Sequence, residues 1–163
     1  MNIRPVNLTD AAQIAEVYNY YIQKTHHTFE TESLGAEEMQ KRISEVIKNY
    51  PYLVAEEYGE IYGYAYATQF KLRQAYAFSA EVSIYVKNAA KQKGIGTELY
   101  MQLFDELADT DVHAIVAGIS LPNDASVRFH EKLGFSKVAH FREVGYKLGR
   151  WVDVGYWEFI NIR

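Results

Sequence analysis

The stretch Glu81–Thr97, EVSIYVKNAAKQKGIGT, constrains this chain more than any other. Val82, Ile84 and Val86 alternate as in a strand. A polar segment, Lys87–Lys93, interrupts the pattern, and Gly94-Ile95-Gly96 closes onto a helical periodicity that starts at Thr97. A strand feeding a glycine-containing loop at a helix N-terminus is an anion site. The first N–H groups of the helix have no intrahelical partner, and the helix dipole favours negative charge there. The glycines let that backbone approach a ligand because no Cβ intervenes. Lys91 and Lys93 add positive charge beside it.

The other segments arrange themselves around this unit. Met1–Val6 reads as a strand, and Thr9 or Asp10 caps a helix carrying Ile14, Val17, Tyr18 and Tyr21 on one side. That helix frays by Lys24–His27, which leaves His26, His27, Thr28 and Phe29 in a loop. A second helix fits Ala36–Asn49, with Met39, Ile43 and Ile47 on one face, and stops before Tyr50-Pro51. Tyr52–Glu56 and Ile61–Phe70 read as strands joined by a hairpin through Glu57-Tyr58-Gly59-Glu60. The basic, aromatic connector Lys71–Phe78, KLRQAYAF, leads into the central strand.

Beyond it, Leu99, Leu103 and Leu107 mark a helix over Thr97–Ala108, and Val112–Ile119 reads as a strand buried on both faces. Leu121-Pro122-Asn123-Asp124 is a turn, Asn123 caps a helix over Asp124–Leu133, and Gly134 ends it. Phe135–Val144 and Trp151–Phe159 complete the chain as strands flanking Gly145–Arg150. The order β-α-α-β-β-β-α-β-α-β-β implies one mixed α/β sheet with helices on both faces. With 163 residues and no linker or repeat, a single domain over 1–163 is expected.

Composition removes several classes. A net charge of −4 argues against a general nucleic-acid binder, and the absence of cysteine excludes disulfides, thiol nucleophiles and Cys-ligated zinc. The five histidines show no metal-ligand spacing such as HExxH, so no metal is expected. No apolar run reaches the length of a membrane span, and no charged-then-apolar leader precedes the first strand. We therefore expect a cytoplasmic protein with no membrane partner.

The central strand, its glycine loop, the next strand, and then Asn123-Asp124-Ala125-Ser126 leading into HEKLGF resemble the GNAT superfamily of acyl-CoA-dependent N-acetyltransferases. Within it, five segments are similar to phosphinothricin and methionine sulfoximine acetyltransferases: YPYLVAEEYGEIYGYAYA, KLRQAY, AEVSIYV, GISLPNDASVRFHEKLGF and VGYKLGRWVDVGYW. They follow one another in order over nearly the whole chain. The resemblance implies a splayed pair of central strands, with the pantetheine arm of acetyl-CoA lying between them. The backbone of Ile84, Tyr85 and Val86 would pair with that arm, while Lys91, Gln92, Lys93, Gly94, Ile95, Gly96 and Thr97 would hold the pyrophosphate. Lys91 departs from the usual Gln or Arg of this motif. Asn123 would contact the cofactor arm, with Ser126 near its thiol.

The same resemblance implies a general base at Glu81 and a proton donor or substrate contact at His130, where many relatives carry tyrosine. An α-amine is mostly protonated at neutral pH, so a base within reach raises the reactive fraction. Arg73 can grip an oxyanion with its fork and Lys71 offers a point charge, while Tyr76 and Phe29 would wall a pocket for a small amino-acid amine. The resemblance places Trp151, Asp153 and Tyr156 in a late loop and strand at a homodimer interface bordering the partner's site, with simple core packing an equal alternative for Trp151. His26, His27, His113 and His140 carry no comparable context.

Three functions fit this pattern. The first is a small-molecule amine acetyltransferase working by direct transfer, since no cysteine could carry an acetyl group. The second is a protein or peptide N-acetyltransferase on the same fold. The third is an acyl-CoA sensor without turnover.

Overall fold

A computed structural model describes residues 1–90 and 94–160. The strands are β1 (Asn2–Pro5), β2 (Tyr52–Glu57), β3 (Glu60–Gln69), β4 (Ser79–Val86), β5 (Ala114–Leu121), β6 (Ser136–Lys147) and β7 (Arg150–Ile160). The helices are α1 (Ala11–Lys24), α2 (Ala36–Val46), α3 (Ile95–Ala108) and α4 (Asp124–Lys132). This is the element order expected from the sequence. Hydrogen bonding orders the seven strands β1-β2-β3-β4-β5-β7-β6, so the α/β sheet is mixed.

Two compact units make up the chain. One comprises Met1–Asn19, Leu34–Thr68 and Val82–Asp111; the other comprises Tyr20–Ser33, Gln69–Glu81 and the chain from Val112 onward. In the first unit, β2 pairs antiparallel with both β1 and β3. All of Tyr52–Ala55 is buried, and α3 packs on β2 and β1 through Leu99, Leu103 and Leu107, each fully enclosed. Tyr52, Tyr64 and Tyr66 stack in parallel planes, and Tyr85 of β4 packs against Tyr64 and Tyr18. Gly63 permits the approach of β4: a Cβ there would lie 3.0 Å from the Tyr85 carbonyl oxygen and 3.1 Å from Val86.

The second unit is built on β5, which pairs parallel with the start of β4 and antiparallel with β7. β6 lies outside β7 as the edge strand, and α4 packs on β5. Trp157 is enclosed; its indole N–H donates to Glu131 at 3.1 Å, and its ring crosses Gly155, where a Cβ would come within 2.4 Å of it.

Several boundaries differ from the sequence reading. Asn7, not Thr9 or Asp10, precedes the first helical turn, and the Asp10 carboxylate accepts from the Asn7 N–H at 2.7 Å. Arg4 takes the rest of Asp10 with two hydrogen bonds, at 2.8 and 3.0 Å, so an acid that could have capped a helix is recruited into an ion pair. Helix α2 ends at Val46, short of the expected Asn49. The apolar strand expected over Val112–Ile119 begins at Ala114 and runs on through Leu121, a residue the sequence assigns to a turn. The six-residue connection Gly145–Arg150 is instead strand on both sides of Leu148-Gly149, whose φ values of 51° and 74° form a two-residue hairpin turn. Leucine seldom adopts that conformation, so the turn leaves little trace in the sequence.

Candidate active site

Register decides what surrounds Glu81. It is the last β4 residue in the parallel ladder and sits opposite Val116 of β5. Alternation places Val116, Gly118 and Ser120 on one face of β5, and Gly118 lies opposite Tyr156 of β7. Glu81 and Tyr156 therefore flank Gly118, the only exposed residue of β5. A Cβ on Gly118 would stand 3.3 Å from both Glu81 Oε1 and Tyr156 Cε1. The missing side chain is what leaves room for both groups over a strand that is otherwise covered.

Burial raises the Glu81 carboxyl above the ordinary range. Tyr156 is raised as well, first by burial and then by the Glu81 charge, which ties the two groups electrostatically. The Tyr156 ring stands edge-on to Phe70 at 6.4 Å and to Phe141 at 5.9 Å. Phe70 in turn meets Tyr76 edge-on at 5.9 Å, and the Lys71 ammonium lies 5.3 Å from the Phe70 ring and 5.7 Å from the Tyr76 ring. A run of aromatic contacts thus connects Glu81 to the KLRQAY connector. Arg73 is exposed and begins the connector's 3-10 turn, its carbonyl accepting from the Tyr76 N–H at 2.9 Å.

A second cluster sits at the start of α4. Asn123 caps the helix, its Oδ1 accepting from the Ser126 N–H at 3.3 Å. His130, 3% exposed, lies edge-on to Phe129 and Phe135, both at 5.3 Å. Its Nδ1 is 2.8 Å from the Ser126 carbonyl, which can only accept, so the proton is on Nδ1. Burial pushes this imidazole below its usual value, against the pull of the Ser126 carbonyl, and it is neutral at pH 7. Phe29 follows α1, and its ring lies on Gly145 of β6.

In the other unit, Ile84, Tyr85 and Val86 are half-buried along β4, with the Tyr85 ring occupied by Tyr18 and Tyr64. Helix α3 starts earlier than the sequence suggests. Gly94, with φ 81°, is its N-cap, and Ile95 and Gly96 form its first turn rather than a loop. Its first backbone bonds run from the Thr97 and Glu98 N–H groups to the Gly94 carbonyl. Thr97 is exposed and Ile95 is buried. Lys91, Gln92 and Lys93 lie outside the described residues.

Three residues escape a reading by sequence. The resemblance gives Tyr156 an interface role only, and the fold sets it beside Glu81 within this chain. Gly118 sits inside an apolar strand, where an isolated glycine signals a close approach. Lys147 lies in the stretch Gly145–Arg150 that the sequence leaves between two strands, and it is buried in β6. Among the described residues no group of His, Asp or Glu side chains could hold a metal ion, and no helix is long and apolar enough to cross a membrane.

Residues 3–155 match the model of the acetyltransferase (GNAT) domain. The chain belongs to the GNAT acetyltransferase family, within the group of phosphinothricin and methionine sulfoximine acetyltransferases, and is an acyltransferase. It is 39% identical to a phosphinothricin N-acetyltransferase of Streptomyces coelicolor, over 97% of this chain and 95% of that protein. It is 34% identical to a methionine sulfoximine/methionine sulfone acetyltransferase of Salmonella typhimurium, over 96% of this chain and 92% of the relative. Among solved structures, an acetyltransferase from Salmonella typhimurium with its cofactor acetyl-CoA matches with a TM-score of 0.96 at 32% identity, covering 100% of this chain and 95% of the other. A ribosomal-protein-alanine N-acetyltransferase from Brucella melitensis matches with a TM-score of 0.95 at 30% identity, covering 98% and 99%.

Proposed function

We propose that this chain acts as one acetyltransferase domain that moves the acetyl group of acetyl-CoA directly onto the α-amine of a small anionic amino acid of the phosphinothricin or methionine sulfoximine type. The observation that carries this reading is the Glu81 carboxylate, half-buried and raised in pKa, beside the uncovered backbone of Gly118. A raised carboxylate is a better base at neutral pH while still ionised. Glu81 takes a proton from the acceptor ammonium, directly or through water. The freed amine attacks the thioester carbonyl, the N–C bond forms, the attacking nitrogen gives its second proton to water, and the C–S bond breaks to release CoA as the thiolate.

The names of the relatives support the acceptor class, and the solved neighbour with acetyl-CoA supports the donor. The Ile84–Val86 backbone is assigned to the pantetheine arm, and Lys91–Thr97 to the pyrophosphate. Asn123 and Ser126 are assigned to the thiol end. Arg73, with Lys71, is assigned to the acceptor's anionic groups, and Tyr76 and Phe29 to the pocket wall. His130, neutral and turned to the Ser126 carbonyl, is a weak acid; we assign it to holding Ser126 in the first turn of α4, and the thiolate takes its proton from water.

The test is CoA thiol release with phosphinothricin and methionine sulfoximine as separate acceptors, beside a basic peptide and a no-acceptor control. Turnover of either amino acid supports the proposal. The Brucella neighbour favours a second reading, protein or peptide N-acetylation, which turnover of the peptide alone would establish. Binding of acetyl-CoA with no release across a wide amine screen would leave a sensor.

We also propose a cytoplasmic homodimer. The edge strand β6 exposes Val138, Phe141, Val144 and Tyr146, and the Tyr146 ring meets exposed Trp151 at 5.0 Å, a large apolar surface for a strand with one open edge. A monomeric mass by analytical ultracentrifugation at micromolar concentration would exclude the dimer, and recovery in a membrane or secreted fraction would exclude the location.

A further inference from the structure

The assignments above give no role to Lys147, yet its surroundings are specific. It is the last residue of β6 and only 4% exposed. Its ammonium donates to the Thr28 carbonyl at 2.7 Å and the Tyr21 carbonyl at 3.4 Å. Burial lowers its pKa, opposed by the charge of Glu30. A buried cation is costly without acceptors, so these carbonyls are held where the ammonium is. Tyr21 is in the last turns of α1, and Thr28 immediately precedes Phe29.

The loop between them is fixed at further points. The Thr25 hydroxyl donates to the Tyr21 carbonyl at 2.8 Å and accepts from the His27 N–H at 3.1 Å. The His26 ring donates from Nε2 to the Pro122 carbonyl at 3.1 Å. Two residues before Lys147, on the same face of β6, Gly145 receives the Phe29 ring. A Cβ there would come within 2.4 Å of Phe29 Cζ. One strand therefore holds both the backbone beside Phe29 and its ring.

We propose that Lys147 is a positioning residue for the amino-acid acceptor, fixing Phe29 on Gly145 through the carbonyls of Tyr21 and Thr28. This rests on the assignment of Phe29 to the acceptor pocket. Steady-state kinetics of the full chain, with phosphinothricin as acceptor, compare Phe29→Ala, Gly145→Ala, Lys147→Met and the Phe29→Ala/Lys147→Met double variant. Gly145→Ala and Lys147→Met are expected to raise the acceptor KM by about tenfold or more, since small misplacements of positioning groups are costly. The KM for acetyl-CoA stays within about twofold, because none of these groups belongs to the donor side. A purely structural role would lower kcat through the active fraction and leave both KM values alone. In the double variant, Lys147→Met adds nothing to Phe29→Ala if it acts through that ring.

The outcomes separate the two ideas. An acceptor KM unmoved by Phe29→Ala removes Phe29 from the pocket. A KM raised by Phe29→Ala but not by Lys147→Met, or multiplied in the double variant, overturns the role of Lys147 alone. Should Lys147→Met fail to fold, Gly145→Ala carries the test with the ammonium in place: an unmoved acceptor KM overturns the seat.

Discussion

Replacing Glu81 by Gln preserves shape and removes proton acceptance. The carboxyl has about the volume of the amide, and the uncovered Gly118 leaves room for either, so packing changes little. The expected loss is therefore that of a general base, on the order of a hundredfold to ten-thousandfold in kcat, or about 3–5 kcal/mol on the barrier. Binding of acetyl-CoA stays unchanged. The pH profile carries an independent signature. Burial raises the Glu81 carboxyl, so in the native protein kcat/KM falls with decreasing pH along a limb displaced above the ordinary Glu value of about 4.3. That limb disappears in the Gln variant.

Stability responds with the opposite sign to activity. Because the folded pKa is raised, the favourable contribution of Glu81 is full below the unfolded value and is lost as pH rises through the folded one. Glu81→Gln is accordingly expected to equal or exceed the native Tm at neutral pH, with the difference narrowing in acid. CoA release across a pH series and thermal melts at the same pH values measure both. Unchanged turnover with the acid limb intact in the Gln variant would remove Glu81 from the mechanism.

Arg73→Ala should raise the KM for an anionic amino acid far more than that for acetyl-CoA; equal effects in bisubstrate kinetics would move Arg73 to the donor side or to structure. Asp10→Asn should cost about 1–3 kcal/mol at pH 7 in urea titrations, since it weakens the paired hydrogen bonds from Arg4. Although burial pushes the Asp10 carboxyl up, Arg4 and the Asn7 N–H hold it below its usual value, so this difference should be present above about pH 4 and fade as pH falls through the folded pKa. A pH-independent difference would contradict the ion pair. Leu103→Ala, in the enclosed face of α3, should cost about 2–5 kcal/mol by the same titration; less than about 1 kcal/mol would mean the helix collapses into the space. His130→Gln should lower Tm and leave kcat within about tenfold; a larger fall in kcat at unchanged Tm would restore His130 as a proton donor.

Much of the fold was legible along the chain. Hydrophobic period distinguishes Leu99, Leu103 and Leu107 on a helix from Val82, Ile84 and Val86 on a strand, because side chains repeat about every 3.6 residues on a helix and every second residue on a strand. Asn123 before α4 and Gly134 after it were equally plain, since helix ends need local partners for their backbone groups. The hairpin turn at Leu148-Gly149 was obscured by a leucine in a conformation that usually selects Asn or Gly.

The site divides along the same line. Sequence alone supplied the strand and the helix within Glu81–Thr97, the KLRQAY connector and the family pattern, all of them local strings of residues. Tertiary structure alone decided that Tyr156 faces Glu81 across Gly118, and that Lys147 lies within reach of the Tyr21 and Thr28 carbonyls. Those neighbours come from distant segments, and strand register and side-chain packing bring them together. A slip of one residue in register would turn Tyr156 to the opposite face without altering a letter of the sequence.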